Sequence, residues 1–181
     1  MGMQQILVMV AAVVLVGQSV VADEKLIADP IVEKVVLLSL EKPEGELTEA
    51  DLENVTALVL RRTKITDAGL KEVAKLRGLT YLDLVGTKIT DAGLKEVAKL
   101  QNVKGLTLDL TQITDAGLRD LAKLQKLGSL YLGGTKITDA GLKDVAKLQN
   151  LKELYLPATQ ATKAGVAELK KALPNCNFYG L

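Results

Sequence analysis

Ile65-Thr66-Asp67-Ala68-Gly69-Leu70-Lys71-Glu72-Val73-Ala74-Lys75-Leu76 returns without a change at Ile89 to Leu100. Its first six residues return again at Ile113 and at Ile137, each time 24 residues on. A worn copy, Ala161-Thr162-Lys163-Ala164-Gly165-Val166, follows after another 24. Recurrence at one fixed period is the mark of a solenoid. One such unit cannot bury its apolar faces alone, so neighbouring units must stack.

Two periodicities alternate within each unit. Leu79-x-x-Leu82-x-Leu84 has apolar residues at period two and ends at Gly86-Thr87, which predicts a short half-buried strand. Leu70, Val73 and Ala74 fall at i, i+3 and i+4, one stripe of a helix. Thr66 precedes that stripe and suits an N-cap, its hydroxyl accepting an N–H of the first turn. Asp67 then stands where the helix dipole favours negative charge. The unit therefore reads as strand, tight loop, capped short helix and return: an α/β class with parallel strands about 4.8 Å apart and helices outside.

The strand segments are Val55-Leu58-Leu60-Thr63, Leu79-Leu82-Leu84-Thr87, Val103-Leu106-Leu108-Thr111, Leu127-Leu130-Leu132-Thr135 and Leu151-Leu154-Leu156-Thr159. This pattern resembles the leucine-rich repeat, L-x-x-L-x-L with a polar residue three on. It departs from the commonest form by placing Thr where Asn or Cys usually stands. The resemblance covers roughly Leu47 to Phe178. Its wording is similar to repeats of exported bacterial proteins of the planctomycete type, and to those of F-box ubiquitin-ligase receptors. No segment here reads as an F-box. The resemblance implies a leucine-rich-repeat solenoid with a concave parallel sheet and convex helices.

The ends depart from the pattern. Ile31 to Leu40 predicts a capping strand, followed by the turn-rich Lys42-Pro43-Glu44-Gly45. Leu47-Thr48-Glu49-Ala50-Asp51-Leu52 resembles the helix block, but Leu52 lies 6 residues before Leu58 whereas Leu70 lies 12 before Leu82. The first unit is thus shortened. Leu173-Pro174-Asn175-Cys176-Asn177-Phe178 predicts a last short strand. Ile6 to Val16 is an eleven-residue apolar run, and no charged side chain precedes Asp23. That is short of the roughly 20 residues that span a bilayer, and it fits the core of a secretory signal peptide. Val20 and Ala22 suit a cut between Ala22 and Asp23, predicting a secreted or periplasmic protein without a membrane span after cleavage. Met1 to Gln5 carries only the terminal amine as positive charge, so a retained anchor and a cytosolic chain stay open. The expected organisation is a signal peptide over 1–22, an N-terminal cap over 23–46, repeats over 47–160, and a degenerate last repeat with C-terminal cap over 161–181.

Composition narrows the function. With 181 residues, 23 Lys+Arg against 22 Asp+Glu and a net charge of +1, nothing argues for nucleic acid or an anionic membrane surface. There is no His, which excludes a Ser-His-Asp triad, a Cys-His pair and a His-ligated zinc. The single Cys176 cannot form an internal disulfide and has no His to activate it, so it reads as packing under the C-terminal cap. No P-loop, GxSxG elbow, CxxC or HExxH occurs. The chain is expected to be no enzyme, with no cofactor and no metal.

The ladders inside the repeats read as structure. Thr63, Thr87, Thr111, Thr135 and Thr159 are expected to satisfy backbone groups in the loop leaving each strand. Asp67, Asp91, Asp115 and Asp139 give one carboxylate per repeat, too few for calcium's 6–8 oxygens. They read as helix starts, with Lys71, Lys95, Arg119 and Lys143 four residues on and placed to pair with them. Gly69 and its repeats predict close approach of neighbouring turns.

Strand alternation places Ala57/Val59/Arg61, Tyr81/Asp83/Val85, Gly105/Thr107/Asp109, Ser129/Tyr131/Gly133 and Glu153/Tyr155/Pro157 on the concave face. The triplet differs in every copy while the helix block barely changes. Arg61, Tyr81, Asp83, Thr107, Asp109, Tyr131, Glu153 and Tyr155 are the candidate ligand-binding residues. Tyr131 and Tyr155 hold the same position in consecutive repeats, so their rings are expected about 4.8 Å apart. The expected function is a non-catalytic exported module that binds a protein or glycan through this sheet. The alternatives are a structural or surface-associated spacer, and a substrate-recognition module like that of the F-box receptors.

Overall fold

The structure, a computed structural model, describes residues 25–42 and 45–180. The predicted signal peptide and its cut before Asp23 lie outside the described residues. Six strands, β1 (Ala57–Val59), β2 (Tyr81–Asp83), β3 (Gly105–Thr107), β4 (Ser129–Tyr131), β5 (Glu153–Tyr155) and β6 (Asn177–Tyr179), form one open parallel sheet in chain order. Leu58, Leu82, Leu106, Leu130, Leu154 and Phe178 pair in sequence across it, always one repeat apart. The five leucines of this row have 0% exposure, as the period-two pattern requires.

Opposite the sheet run α3 (Asp67–Val73), α4 (Asp91–Val97), α5 (Asp115–Leu121), α6 (Asp139–Val145) and α7 (Lys163–Ala172). A seven-residue helix is too short to persist alone. Each is held by its buried stripe, such as Leu70 and Val73 in α3, packed on one continuous core.

The expected capping strand over Ile31 to Leu40 is instead a helix, α1 (Pro30–Ser39). Asp29 caps it, accepting from the Ile31 and Val32 N–H groups, and Pro30 supplies a pre-set φ at the first position. Val32 and Val36, one turn apart, are both fully buried, which outweighs the strand preference of the β-branched run. α1 packs on β1 and α3. α2 (Glu49–Asn54) is the helix of the shortened unit, started by a Thr48–Asp51 capping box that Lys42 reinforces with a 2.8 Å ion pair. Three acceptor contacts hold the exposed Asp51 carboxyl at about 2, the Lys42 ammonium foremost. The last strand is present, as β6.

Neighbouring units are locked by a joint on the helix side. Asp67 takes the Thr90 N–H at 2.9 Å on Oδ1 and the Thr90 hydroxyl at 2.6 Å on Oδ2. Asp91 holds Thr114, Asp115 holds Thr138 and Asp139 holds Thr162 in the same way. The expected Asp–Lys pairs at i, i+4 are absent among the described residues, because the carboxylates are turned into this joint. The lysines that pair are Lys75, Lys99, Lys123 and Lys147, with Glu72, Glu96, Asp120 and Asp144 three residues back.

Glycine recurs for a related reason. A Cβ on Gly117 would fall 2.5 Å from Asp91 Oδ1 and 2.7 Å from Leu94 Cδ1. Gly93, Gly141 and Gly165 abut Asp67, Asp115 and Asp139 alike. The capping role expected of Thr66 is not formed, for its hydroxyl accepts no first-turn N–H. Thr90, Thr114 and Thr138 do accept from Ala92, Ala116 and Ala140. Their hydroxyl protons are committed to the preceding Asp, leaving lone pairs for the helix. The carboxylate beside Gly69, where the later units have their joint Asp, is Asp29, and it caps α1.

The Thr ladder closes the loop after each strand, as expected. Thr87, Thr111 and Thr135 are buried and donate to Leu84, Leu108 and Leu132 carbonyls at 2.7, 2.6 and 2.6 Å. The residue just before each Thr is left-handed, with φ of 55° at Arg62, 65° at Gly86, 57° at Leu110, 66° at Gly134 and 54° at Ala158.

Candidate binding surface

The sheet presents three rows to its concave side. The central row runs Val59, Asp83, Thr107, Tyr131, Tyr155, Tyr179. On one flank lie Ala57, Tyr81, Gly105, Ser129, Glu153 and Asn177. On the other, two residues beyond the central row, lie Arg61, Val85, Asp109, Gly133 and Pro157.

The C-terminal half of the central row is an aromatic ladder. Tyr131 and Tyr155 stack with centroids 4.1 Å apart and planes 8° from parallel. The strand spacing fixes this separation, and the rings lean slightly closer than it. Tyr179 extends the stack, 4.4 Å and 15° from Tyr155. Sequence reasoning missed Tyr179, because the last unit lacks the L-x-L signature. The signal that finds it is the 24-residue step from Glu153-Leu154-Tyr155 to Asn177-Phe178-Tyr179. Contact with the Tyr131 hydroxyl pushes the Tyr155 phenol above its ordinary value.

The N-terminal half begins with the exposed Val59 and then turns polar and sunken. Asp83 and Thr107 are only 5% and 8% exposed. Asp83 accepts the Val85 N–H at 3.0 Å and faces Arg61 Nε at 3.5 Å. Thr107 donates to the Leu82 carbonyl. Asp109, half-buried, takes the Gly133 N–H at 2.8 Å. Burial pushes the Asp109 carboxyl up, that N–H opposes the shift, and nearby Asp83 adds to it. Tyr81 stands apart from the ladder, its ring over Gly105, where a Cβ would lie 2.9 Å from Cδ2. Glu153 accepts from the Ser129 hydroxyl at 3.1 Å. Seven of the eight sequence-predicted residues thus form two groups, Arg61–Asp83–Thr107–Asp109 and Tyr131–Glu153–Tyr155, with Tyr81 apart from both.

Elsewhere, a cleft of about 770 Å³ opens on the helix side between Lys25, Leu52, Lys71 and Lys99. Its Glu72 is already engaged by the Ala28 N–H and Lys75, and its Glu96 by Lys99. Cys176 is buried, and burial pushes its thiol up to about 11, away from nucleophilic form. Among the described residues no group of three or more Asp, Glu, Cys or His could hold a metal ion, and no helix is long and apolar enough to cross a membrane.

A parallel sheet wound in chain order with one short helix per strand defines an open solenoid of stacked similar units. The family model described as Leucine Rich repeat matches three stretches, residues 52–74, 76–98 and 123–146, and the chain carries leucine-rich repeats there. The fold is similar to a Leptospira interrogans leucine-rich-repeat protein at 23% identity and TM-score 0.51, over 71% of this chain and 38% of that one. It is also similar to an internalin of Listeria monocytogenes at 22% identity and TM-score 0.51, over 83% of this chain and 55% of the other. The chain thus spans less than two thirds of either. No curated protein matches it. Leucine-rich-repeat proteins are generally non-catalytic modules for protein interaction, and this chain has their architecture.

Proposed function

We propose that this chain is an exported, non-catalytic recognition module that holds a protein ligand against its concave sheet. The Tyr131–Tyr155–Tyr179 ladder carries the reading. Three large side chains stack on a face that has no core to fill. Tyrosine offers wide contact at little rotamer cost and keeps a hydroxyl for hydrogen bonding. The changing concave rows beside an unchanging helix block support it, as does the signal-like segment over 1–22 for export.

Capture with C-terminally tagged full-length protein from the source's extracellular fraction tests both halves. Tyr131→Ala, Tyr155→Ala and Tyr179→Ala should each weaken the captured partner by about 1–3 kcal/mol. Equal capture by all three would instead favour the spacer. Exported protein whose N-terminus reads Asp23 supports cleavage, whereas an N-terminus at Met1 leaves the retained anchor.

A further inference from the structure

Resting on that reading, we propose that the partner meets the concave face with an extended segment bearing Lys or Arg side chains. Such a segment complements the charge of the sheet face and lies along its aromatic ladder. The three concave rows carry one cation, Arg61, against three carboxylates, Asp83, Asp109 and Glu153. Arg61 serves Asp83, which also holds the Val85 N–H. Asp109 has one oxygen on the Gly133 N–H and, among the described residues, no cation within 4.0 Å. Glu153 has only the Ser129 hydroxyl. The face therefore carries two negative charges in excess, neither in an ion pair among the described residues, while Glu72, Glu96, Asp120 and Asp144 of the helix face are each matched by a lysine. A concave surface of one sign draws and orients a partner of the other.

The ladder suits the same occupant. Between Tyr131 and Tyr179 the ring faces are covered by stacking, so the body of the ladder presents edges and hydroxyl oxygens. Ring edges carry partial positive charge and do not hold a cation as a ring face does. They accommodate the aliphatic stem of Lys or Arg, whose head reaches on to a carboxylate. Asp109 and Glu153 lie on opposite flanks of the central row and two strands apart, so the direct path between them crosses Tyr131 and ends beside Tyr155. In an extended chain alternate side chains share one face, so an alternating basic sequence presents all its cations to the sheet.

The probe is the capped hexapeptide Arg-Ser-Arg-Ser-Arg-Ser, with Glu-Ser-Glu-Ser-Glu-Ser as its mirror in charge. Titrated into isotope-labelled full-length protein, the arginine peptide should shift the amide signals of Gly133, Tyr131 and Tyr155, and added salt should reverse the shift. Asp109→Asn keeps an acceptor for the Gly133 N–H, and Glu153→Gln keeps one for Ser129. Each should weaken the arginine peptide about threefold or more. Shifts confined to the helices, equal binding of the glutamate peptide, or unchanged affinity in both variants would overturn the proposal. A captured partner that loses affinity with Tyr155→Ala but not with Asp109→Asn or Glu153→Gln would overturn the basic segment and leave concave recognition standing. Insensitivity to all three would overturn both.

Discussion

The helix side and the concave side are built from the same 24-residue unit, yet they have diverged to different degrees. On the helix side Asp, Gly and Thr recur because each must fit the unit before or after it. Asp91 grips Thr114, and Gly117 leaves the room that Asp91 needs. On the concave side a residue also touches the next strand, but the contact changes from unit to unit, as with Asp109 on Gly133 and Ser129 on Glu153. Valine, aspartate, threonine and tyrosine all occur along one row. Uniformity marks where the units hold one another, and variety marks where they face outward.

Five substitutions, one of them a control, should break or sharpen that contrast, beginning beneath both surfaces. Leu130→Ala removes a fully buried side chain from the middle of the stack. It should cost about 2–5 kcal/mol in urea melts, and a melt overlaying the parent would refute the register. Gly117→Ala drives a methyl into Asp91 and Leu94 and should cost about 1–3 kcal/mol. Ser129→Ala on the inner row is its control and should move the melt far less. Leu110 is left-handed and 64% exposed where Gly86 and Gly134 fill the same place. Leu110→Gly should stabilise by about 0.5–1 kcal/mol, the relief of strain exceeding the added chain entropy. Asp109→Asn should change stability least, a gain of a few tenths of a kcal/mol at neutral pH.

The pH dependence of that last gain has a definite sign. The folded Asp109 carboxyl lies above its ordinary value, so its charged form is the disfavoured one in the fold. The gain is therefore present at neutral pH and fades as acid protonates Asp109. Asp51 behaves oppositely. Its folded value of about 2 lies below 3.8, so its contribution is intact above that range and is lost as pH falls towards 2. Carboxyl-carbon titrations of the two residues would check both directions.

The repeat architecture, the strand register and the buried leucine row were legible because period and alternation are local properties of the sequence. The stacked pair Tyr131 and Tyr155 was legible for the same reason. What was not legible depended on another unit. Asp67 reads as a dipole partner for its own helix until Thr90 of the next unit is placed against it. The α1 segment reads as a strand from Val32, Val35 and Val36, and becomes a helix through the Asp29 cap and packing on β1 and α3. The sinking of Asp83 and Thr107 likewise follows from the height of their neighbours' side chains, which period alone does not encode.

The joint also has a direction. Every Asp reaches forward to the Thr of the following unit and none reaches back, and Lys163 occupies the position where a further Asp would stand. Any internal unit therefore carries a complete plug at one end and a complete socket at the other. A gene encoding such a chain can gain or lose one unit by unequal recombination between its near-identical segments, and each product is already compatible at the new seam. The length of the concave face is thus heritable in whole-unit steps, and the Tyr-bearing strands can be moved relative to the acidic ones without redesigning the Asp–Thr joints between units.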